Sequence, residues 1–176
     1  IKSGKDKISR GGVVWHTQGS GKSLTMVFLA RKIKRTQGLT DSTIVVVTDR
    51  IDLDKQIAGT FERTLGKITT PVRADKIDKM KNLLSNPQPQ IIMTTIQKFQ
   101  SETEEKEVML DGERLTQKYA VEYPVLSTKQ NIIVLADEAH RSQYKDTAAN
   151  MRKALPNAVF IGFTGTPIDK DDKSTP

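Results

Sequence analysis

The stretch VVWHTQGSGKS, from Val13 to Ser23, decides how the rest of the chain is organised. Its first three residues are apolar and predict the end of a buried strand, and the glycine-spaced turn after them runs into a helical pattern. Gly19 and Gly21 let the backbone wrap an anion without Cβ clashes, so that successive N–H groups can point inward. The stretch therefore predicts a phosphate-binding loop at the positive end of a helix.

The residue types in this loop suit the phosphates of a nucleotide. Lys22 would reach the β- and γ-phosphates as a point charge, and the Ser23 hydroxyl would be a ligand for the Mg²⁺ that those phosphates carry. His16 stands where the strict motif has glycine, so the match is to the looser form. The alternative is a glycine-rich turn before a basic helix, but chance would produce such a string on the order of once in a hundred chains of this length. The predicted nucleotide-binding residues are Thr17, Gln18, Gly19, Ser20, Gly21, Lys22 and Ser23.

Length and composition predict one globular domain with a real core. The chain has 176 residues, of which 36% are hydrophobic, and it contains no cysteine, which excludes disulfides and thiolate metal sites. No apolar run approaches the roughly 18 residues of a membrane span and no signal peptide opens the chain, so we expect a cytoplasmic protein that contacts no membrane. A net charge of +7 favours polyanionic partners such as nucleic acid. Because the chain starts without methionine and ends in a polar tail, we expect it to be part of a longer protein.

Apolar, β-branched runs alternate with helical patterns along the chain. This alternation predicts an α/β fold, with a mostly parallel sheet covered by helices on both faces. Buried strands are predicted at 43–48, 91–94, 131–136 and 158–164, and helices at 22–35, 75–84 and 144–155, with a further helix reaching about residue 65 and a helical turn at 95–99.

The helix at 22–35 carries the most detailed pattern. Its core positions are predicted at Leu24, Val27, Phe28 and Ile33, and Gly38 is predicted to end it. The basic residues in its last turns suit the negative end of the helix dipole, which suffices to explain them.

Residues 100–130 break the alternation. Acidic side chains crowd this stretch, which shows little apolar periodicity. It is predicted to be a solvated insertion that contains a hairpin or a short helix, with no catalytic role.

A second acidic motif follows the apolar run at 131–136. Asp137 and Glu138 would lie at the carboxyl end of a strand, where ligands bind in open parallel sheets, and would therefore face the phosphate loop. Asp137 is suited to Mg²⁺, directly or through water, and Glu138 is the candidate that orients and deprotonates the attacking water. The alternative is that both residues cap the next helix.

Three sequence motifs occur in the same order as in a known protein family. HTQGSGKS, LADEAH and GFTGTP resemble motifs I, II and III of superfamily 2 helicases and translocases. The segment WHTQGSGKS, together with TDRIDLDKQ, MTTIQKF and LADEAHRSQY, most resembles the motor (restriction) subunit of type I restriction enzymes. The resemblance covers nearly the whole chain except the acidic insertion.

This resemblance implies a single RecA-like ATP-binding lobe over residues 1–176, with ATP and Mg²⁺ as cofactors. Lys22 would bind phosphate, and Ser23 and Asp137 would bind the metal ion. Glu138 would act on the attacking water. The residues that would link nucleotide state to DNA grip are His140, Thr164, Gly165 and Thr166. The segments 48–50 and 94–98 would lie along the DNA backbone, with Arg50, Thr95, Gln97 and Lys98 as the DNA-binding residues. His140 could instead be a hydrogen-bonded loop histidine, and the threonines could satisfy a turn.

The resemblance also implies partners outside this chain. These are double-stranded DNA, the specificity and methylation subunits of a restriction complex, a nuclease domain before the chain, and a second RecA-like lobe after it that supplies an arginine finger. The whole protein would be an ATP-dependent endonuclease, and the isolated chain would be nearly inactive. The alternatives are another superfamily 2 motor, such as a type III restriction motor or a helicase, and a nucleotide-binding regulatory module that never translocates.

Overall fold

The structure is a computed structural model, and it describes residues 11–15, 17, 21–49, 59–61, 70–110, 113–137 and 145–165. The strands in these ranges are β1 (Gly11–Trp15), β2 (Thr43–Thr48), β3 (Val72–Arg73), β4 (Ile91–Thr95), β5 (Thr103–Leu110), β6 (Glu113–Ala120), β7 (Ile132–Asp137) and β8 (Val159–Thr164). The helices are α1 (Lys22–Arg35), α2 (Ile77–Ser85) and α3 (Lys145–Ala154), with a 3₁₀ helix at Ile96–Phe99. Residues 59–61 are also helical.

Six of the strands form one sheet in the order β1-β8-β7-β2-β4-β3, and every neighbouring pair is parallel. β2 and β4 are buried at every residue, as expected for strands covered on both faces. The predicted α/β fold with a parallel sheet is confirmed. Among the described residues, no helix is long and apolar enough to cross a membrane.

Helices pack on both faces of the sheet. One core lies between the sheet and α1 and includes Met26 and Val27. The other lies between the sheet and the pair α2 and α3, with Met80 and Met151 at its centre. The predicted strands and helices that fall on described residues are found within two residues of their predicted bounds, whereas the helix predicted to reach about residue 65 lies mostly outside the described residues. β7 extends one residue further, to Asp137, and β3 was not predicted.

The predicted core face of α1 is partly wrong. Val27 and Ile33 are buried as expected, but Leu24 is 48% exposed and Phe28 is 56% exposed. Met26 and Ala30 take their places, because the buried stripe runs along the opposite side of the helix. The helix also ends at Arg35, and Gly38, with φ of +81°, lies in the turn that follows.

β1 is an edge strand rather than the buried strand that Val13–Trp15 predicted. Within the described part of the chain it pairs only with β8, and Val13 and Trp15 are 49% and 59% exposed. Val14 alone of the three packs against the core beneath α1. Gly11 is required here, because a Cβ at this position would lie 2.6 Å from the carbonyl oxygen of Phe160.

The acidic insertion contains the hairpin that was one of its two predicted forms. β5 and β6 pair antiparallel as a separate two-stranded sheet, with Thr103 opposite Ala120. The prediction that the whole of 100–130 is solvated is wrong, because the segment after the hairpin returns to the core. Tyr123 is buried and its ring lies 6.1 Å from that of Phe99. Burial raises the pKa of Tyr123 to about 12, with a smaller contribution from the charge of Glu102.

Candidate nucleotide-binding site

The carboxyl ends of the parallel strands bring the two motifs to one edge of the sheet. The chain leaves β1 at Trp15 and enters α1 at Lys22 on this edge. β8 lies between β1 and β7, so that the end of β8 at Thr164 stands between the phosphate loop and the end of β7 at Asp137.

Lys22 and Asp137 meet at this edge. The Lys22 Nζ lies 3.5 Å from the Asp137 Oδ1, and the two side chains are only 12% and 5% exposed. A lysine and an aspartate that come from segments more than a hundred residues apart are thus held together where water has little access.

The start of α1 has the backbone geometry of an anion site. Gly21 adopts φ of +87°, which any other residue would adopt only with strain, and its carbonyl accepts the first helical bond from Thr25 at 3.1 Å. No side chain in the described ranges caps this end, and its first turn contains no acidic residue. The positive end of the helix dipole is therefore left to a ligand at this position.

The donor set fits a magnesium nucleotide. Lys22 supplies an ammonium for phosphate oxygens, and the half-buried Ser23 supplies a hydroxyl at the first turn of α1. The hydroxyl of Ser23 and the carboxylate of Asp137 are hard oxygen ligands of the kind that Mg²⁺ prefers. Among the other predicted residues, Thr17 is exposed, Thr164 is 1% exposed and Gly165 is half-buried. Several predicted residues lie outside the described residues, namely Gln18, Gly19, Ser20, Arg50, Glu138, His140 and Thr166.

Of the predicted DNA contacts, Thr95, Gln97 and Lys98 lie on the same edge, beyond β2, where β4 passes into the 3₁₀ helix. Thr95 ends β4 rather than opening a helical turn, and it is only 4% exposed. Its hydroxyl accepts a hydrogen bond from the Lys98 Nζ at 3.4 Å. Gln97 donates from its Nε2 to the Asp49 carbonyl at 2.7 Å, which joins this turn to the end of β2. Gln97 and Lys98 are half-buried, and the Oε1 of Gln97 is itself buried, while Thr95 is almost fully enclosed.

Sequence reasoning missed a link between this turn and α3. The side-chain amide of Asn150 donates to the Phe99 carbonyl at 2.8 Å and to the Ser101 hydroxyl at 3.0 Å. The available signal was an asparagine inside a helical stretch, where its propensity is poor and a specific bond is a reason for its presence. Thr48 and Thr94 belong to the segments 48–50 and 94–98, which the resemblance places along the DNA backbone, but their hydroxyls are buried and have no hydrogen-bond partner in the described part of the chain.

Comparison with solved structures concerns the fold. The chain is similar to the yeast DEAD-box splicing factor Prp28, with a TM-score of 0.53 and 17% identity, over 90% of this chain and 36% of that one. It is also similar to a nuclease-deletion mutant of the type ISP restriction-modification enzyme LlaGI in complex with a DNA substrate mimic. The TM-score is 0.54 and the identity 16%, over 93% of this chain and 17% of that one. Both likenesses agree with a RecA-like lobe.

Comparison with curated sequences is more specific. The chain is 44% identical to the type I restriction enzyme HindI endonuclease subunit of Haemophilus influenzae over 178 residues, which is 93% of this chain. It spans only 14% to 16% of the length of the curated relatives to which it is at least 40% identical. The SWI2/SNF2 ATPase family matches residues 1–176. With its parallel sheet and its lysine–aspartate pair at the carboxyl edge, the chain belongs to the SWI2/SNF2 ATPase family.

Proposed function

We propose that this chain is the ATP-binding motor lobe of the endonuclease subunit of a type I restriction enzyme. In the whole protein, ATP hydrolysis would drive translocation along double-stranded DNA and lead to DNA cleavage. The observation that carries the proposal is the enclosed pair of Lys22 and Asp137 at the carboxyl edge of the sheet. The identity with a type I endonuclease subunit supports the choice among ATPase motors.

Each residue at this edge has a defined role in the proposal. Lys22 and the backbone of residues 17–23 hold the β- and γ-phosphates of ATP, and Ser23 and Asp137 hold Mg²⁺. Mg²⁺ held there would supply positive charge that neutralises the phosphates. Glu138 orients the attacking water and takes its proton. Four residues would couple the state of the nucleotide to the affinity for DNA, namely His140, Thr164, Gly165 and Thr166.

DNA would lie across the same edge. Lys98 presents an ammonium there and Arg50 would join it, while the buried Thr95 and the bond from Gln97 to the Asp49 carbonyl hold this turn in place. These groups suit the sugar–phosphate backbone, which can be contacted without regard to base sequence.

The remaining partners belong to the whole protein. We place residues 1–176 in a single RecA-like domain of a cytoplasmic restriction complex that also contains specificity and methylation subunits. A second RecA-like lobe would complete the ATP site with an arginine, a contribution of about 10³ to 10⁵ in rate in related phosphoryl transfers. The isolated chain should therefore hydrolyse ATP barely above background.

The test uses the whole protein with Glu138→Gln. This variant keeps the size and polarity of the side chain but cannot accept a proton, so it should bind ATP normally and hydrolyse it about 10² to 10⁴ times more slowly. Asp146→Asn is the matched control, because it removes one exposed carboxylate from the first turn of α3 and should leave turnover unchanged.

Two outcomes would contradict the proposal. Wild-type turnover by Glu138→Gln would remove Glu138 from its role as base. ATP hydrolysis that did not respond to DNA in the wild-type whole protein would favour a regulatory module that does not translocate.

A further inference from the structure

The side of α1 that faces away from the sheet combines apolar and basic residues. We call the surface formed by Leu24, Phe28, Arg31, Lys32 and Arg35 the outer face of α1. Leu24, Phe28, Arg31 and Arg35 recur at spacings of three and four residues, which places them in one row along the helix. Phe28, the aromatic residue of the row, is 56% exposed.

The three cations of the outer face have no side-chain partner in the described part of the chain. The side chains of Arg31, Lys32 and Arg35 make no hydrogen bond or ion pair with any residue that the structure describes, and α1 contains no acidic residue. Lys34 differs, because its Nζ donates to the carbonyls of Ser42 at 2.5 Å and Thr40 at 3.2 Å. Its burial lowers its pKa, against a smaller opposing effect of Asp41. The helix dipole accounts for cations in the last turns, but it does not account for the grouping of three of them around the exposed ring of Phe28, which the structure adds.

These side chains surround a shallow cavity. Phe28, Arg31, Lys32, Arg35 and Thr36 line a surface cavity of about 360 Å³. Arg31 and Arg35 are one helical turn apart, so their Cβ atoms are separated by about 6 Å. Cations at this spacing beside an apolar ring are complementary to a chain of phosphates joined by sugars.

We propose that the outer face of α1 binds the phosphate backbone of double-stranded DNA, as a contact separate from the one at the carboxyl edge. This inference rests on the proposed function for the choice of duplex DNA as the polyanion. Arg35 lies 13 residues beyond Lys22 along α1, which corresponds to about 20 Å. The contact is therefore directed toward the amino edge of the sheet, away from Gln97 and Lys98, and a duplex bound there would hold the motor at a second point.

The test measures how the affinity of the whole protein for a labelled duplex depends on salt, between about 50 and 200 mM. The variant combines Arg31→Gln, Lys32→Gln and Arg35→Gln. Each lost phosphate contact should reduce the slope of log affinity against log salt by about 0.9, so the triple variant should lose between 2 and 3 units. Basal ATP hydrolysis without DNA should not change, because none of the three lies at the nucleotide site.

A matched control removes the same charge from the opposite face of the sheet. It combines Lys76→Gln, Lys79→Gln and Arg152→Gln, which are exposed residues at α2 and α3, and its slope should change by well under one unit. Phe28→Ala should weaken binding a few-fold at every salt concentration without altering the slope.

The outcomes separate this inference from the proposed function. If the wild-type protein bound duplex DNA and the triple variant kept the wild-type slope, the contact on α1 would be excluded and the proposed function would stand. An equal loss of slope in the control variant would also exclude the contact on α1, because the loss would then reflect the net charge of the protein. If the triple variant kept the wild-type salt slope but no longer bound another subunit of the complex, the outer face of α1 would be a protein-binding surface. If the wild-type protein bound no DNA, both proposals would fail.

Discussion

The six-stranded sheet and the β5–β6 hairpin are held together in different ways. β2 and β4 are buried at every residue between two helical layers, whereas Leu115 and Tyr119 of the hairpin are 47% and 40% exposed. Strands of the sheet are stabilised by packing on both faces, while the hairpin depends on its cross-strand pairs and on its two ends. A two-stranded hairpin by itself is marginal in water, so its stability here depends on how its ends are attached.

The hairpin is attached at its base. The Val121 amide donates to the Glu102 carbonyl at 2.8 Å, which brings the two ends together. Lys81 pairs with Glu102 at 2.6 Å, and its hydrogen bond lowers the pKa of Glu102. Lys153 pairs with Glu122 in the same way and lowers the pKa of that carboxyl. Both carboxylates are exposed, so these ion pairs orient the hairpin more than they stabilise the fold.

The largest contrast between the two regions should appear in matched leucine substitutions. Leu135→Ala, at a fully buried position of β7, should lower the free energy of unfolding of the 176-residue chain by about 2 to 5 kcal/mol, because it leaves a cavity. Leu115→Ala in the hairpin should change it by less than about 0.5 kcal/mol. Urea denaturation followed by circular dichroism measures both, and equal losses would mean that the hairpin has a core of its own.

Asn150 lies where the two regions join and should give an intermediate effect. Asn150→Ala removes both donors and leaves the Phe99 carbonyl without this partner, which should cost about 1 to 3 kcal/mol. Asn82→Ala, at an exposed position of α2, is the control and should stay within about 0.5 kcal/mol. The same denaturation experiment applies, and similar values for both variants would show that the link adds nothing to stability.

Removal of the hairpin should have a still smaller effect. Replacing residues 103–120 by a short glycine-containing turn keeps the bond between Glu102 and Val121, and should change the free energy of unfolding by less than about 1 kcal/mol. The affinity for a fluorescent ATP analogue should remain within about two-fold of wild type, because the hairpin lies outside the site of Lys22 and Asp137. A large loss of nucleotide affinity would show that the two regions are coupled.

The smallest effect concerns pH, at the segment that returns from the hairpin. The pKa of Tyr123 is raised to about 12 in the fold, so between pH 10 and 12 the unfolded chain loses a proton that the folded chain keeps. Stability from this residue is therefore fully present below pH 10 and declines as pH rises toward 12. Tyr123→Phe should make this decline in stability with pH shallower. Thermal midpoints measured between about pH 8 and pH 11 test this, because tyrosine in the unfolded chain begins to ionise within that range. An unchanged decline would show that another group is responsible.

The sequence predicts the sheet well and its outer surfaces poorly. A strand buried on both faces is apolar throughout, so the runs at β2, β4, β7 and β8 could be recognised without their neighbours. The pattern of α1 fits two faces, because Leu24 and Phe28 obey the helical period as well as Met26 and Ala30 do. Which face is buried depends on where the sheet lies, and this information is not local. The exposure of β1 depends in the same way on what stands beside it.

The candidate site also has one part that the sequence predicts and one part that it does not. The rule that ligands bind at the carboxyl ends of parallel strands was sufficient to place Lys22 near Asp137. The contact of Lys98 with Thr95 and that of Gln97 with Asp49 depend on side-chain directions in a 3₁₀ turn, which no residue pattern indicated.

The two hydrogen bonds of Asn150 have a mechanical consequence. They fix α3, which follows the acidic motif along the chain, to the end of the turn that carries Gln97 and Lys98. Phe99 in that turn is fully buried, so the turn cannot slide independently of the helix beneath it. Through Gln97 and the Asp49 carbonyl the same unit reaches the end of β2. A displacement of α3 would therefore also displace the turn that carries Lys98.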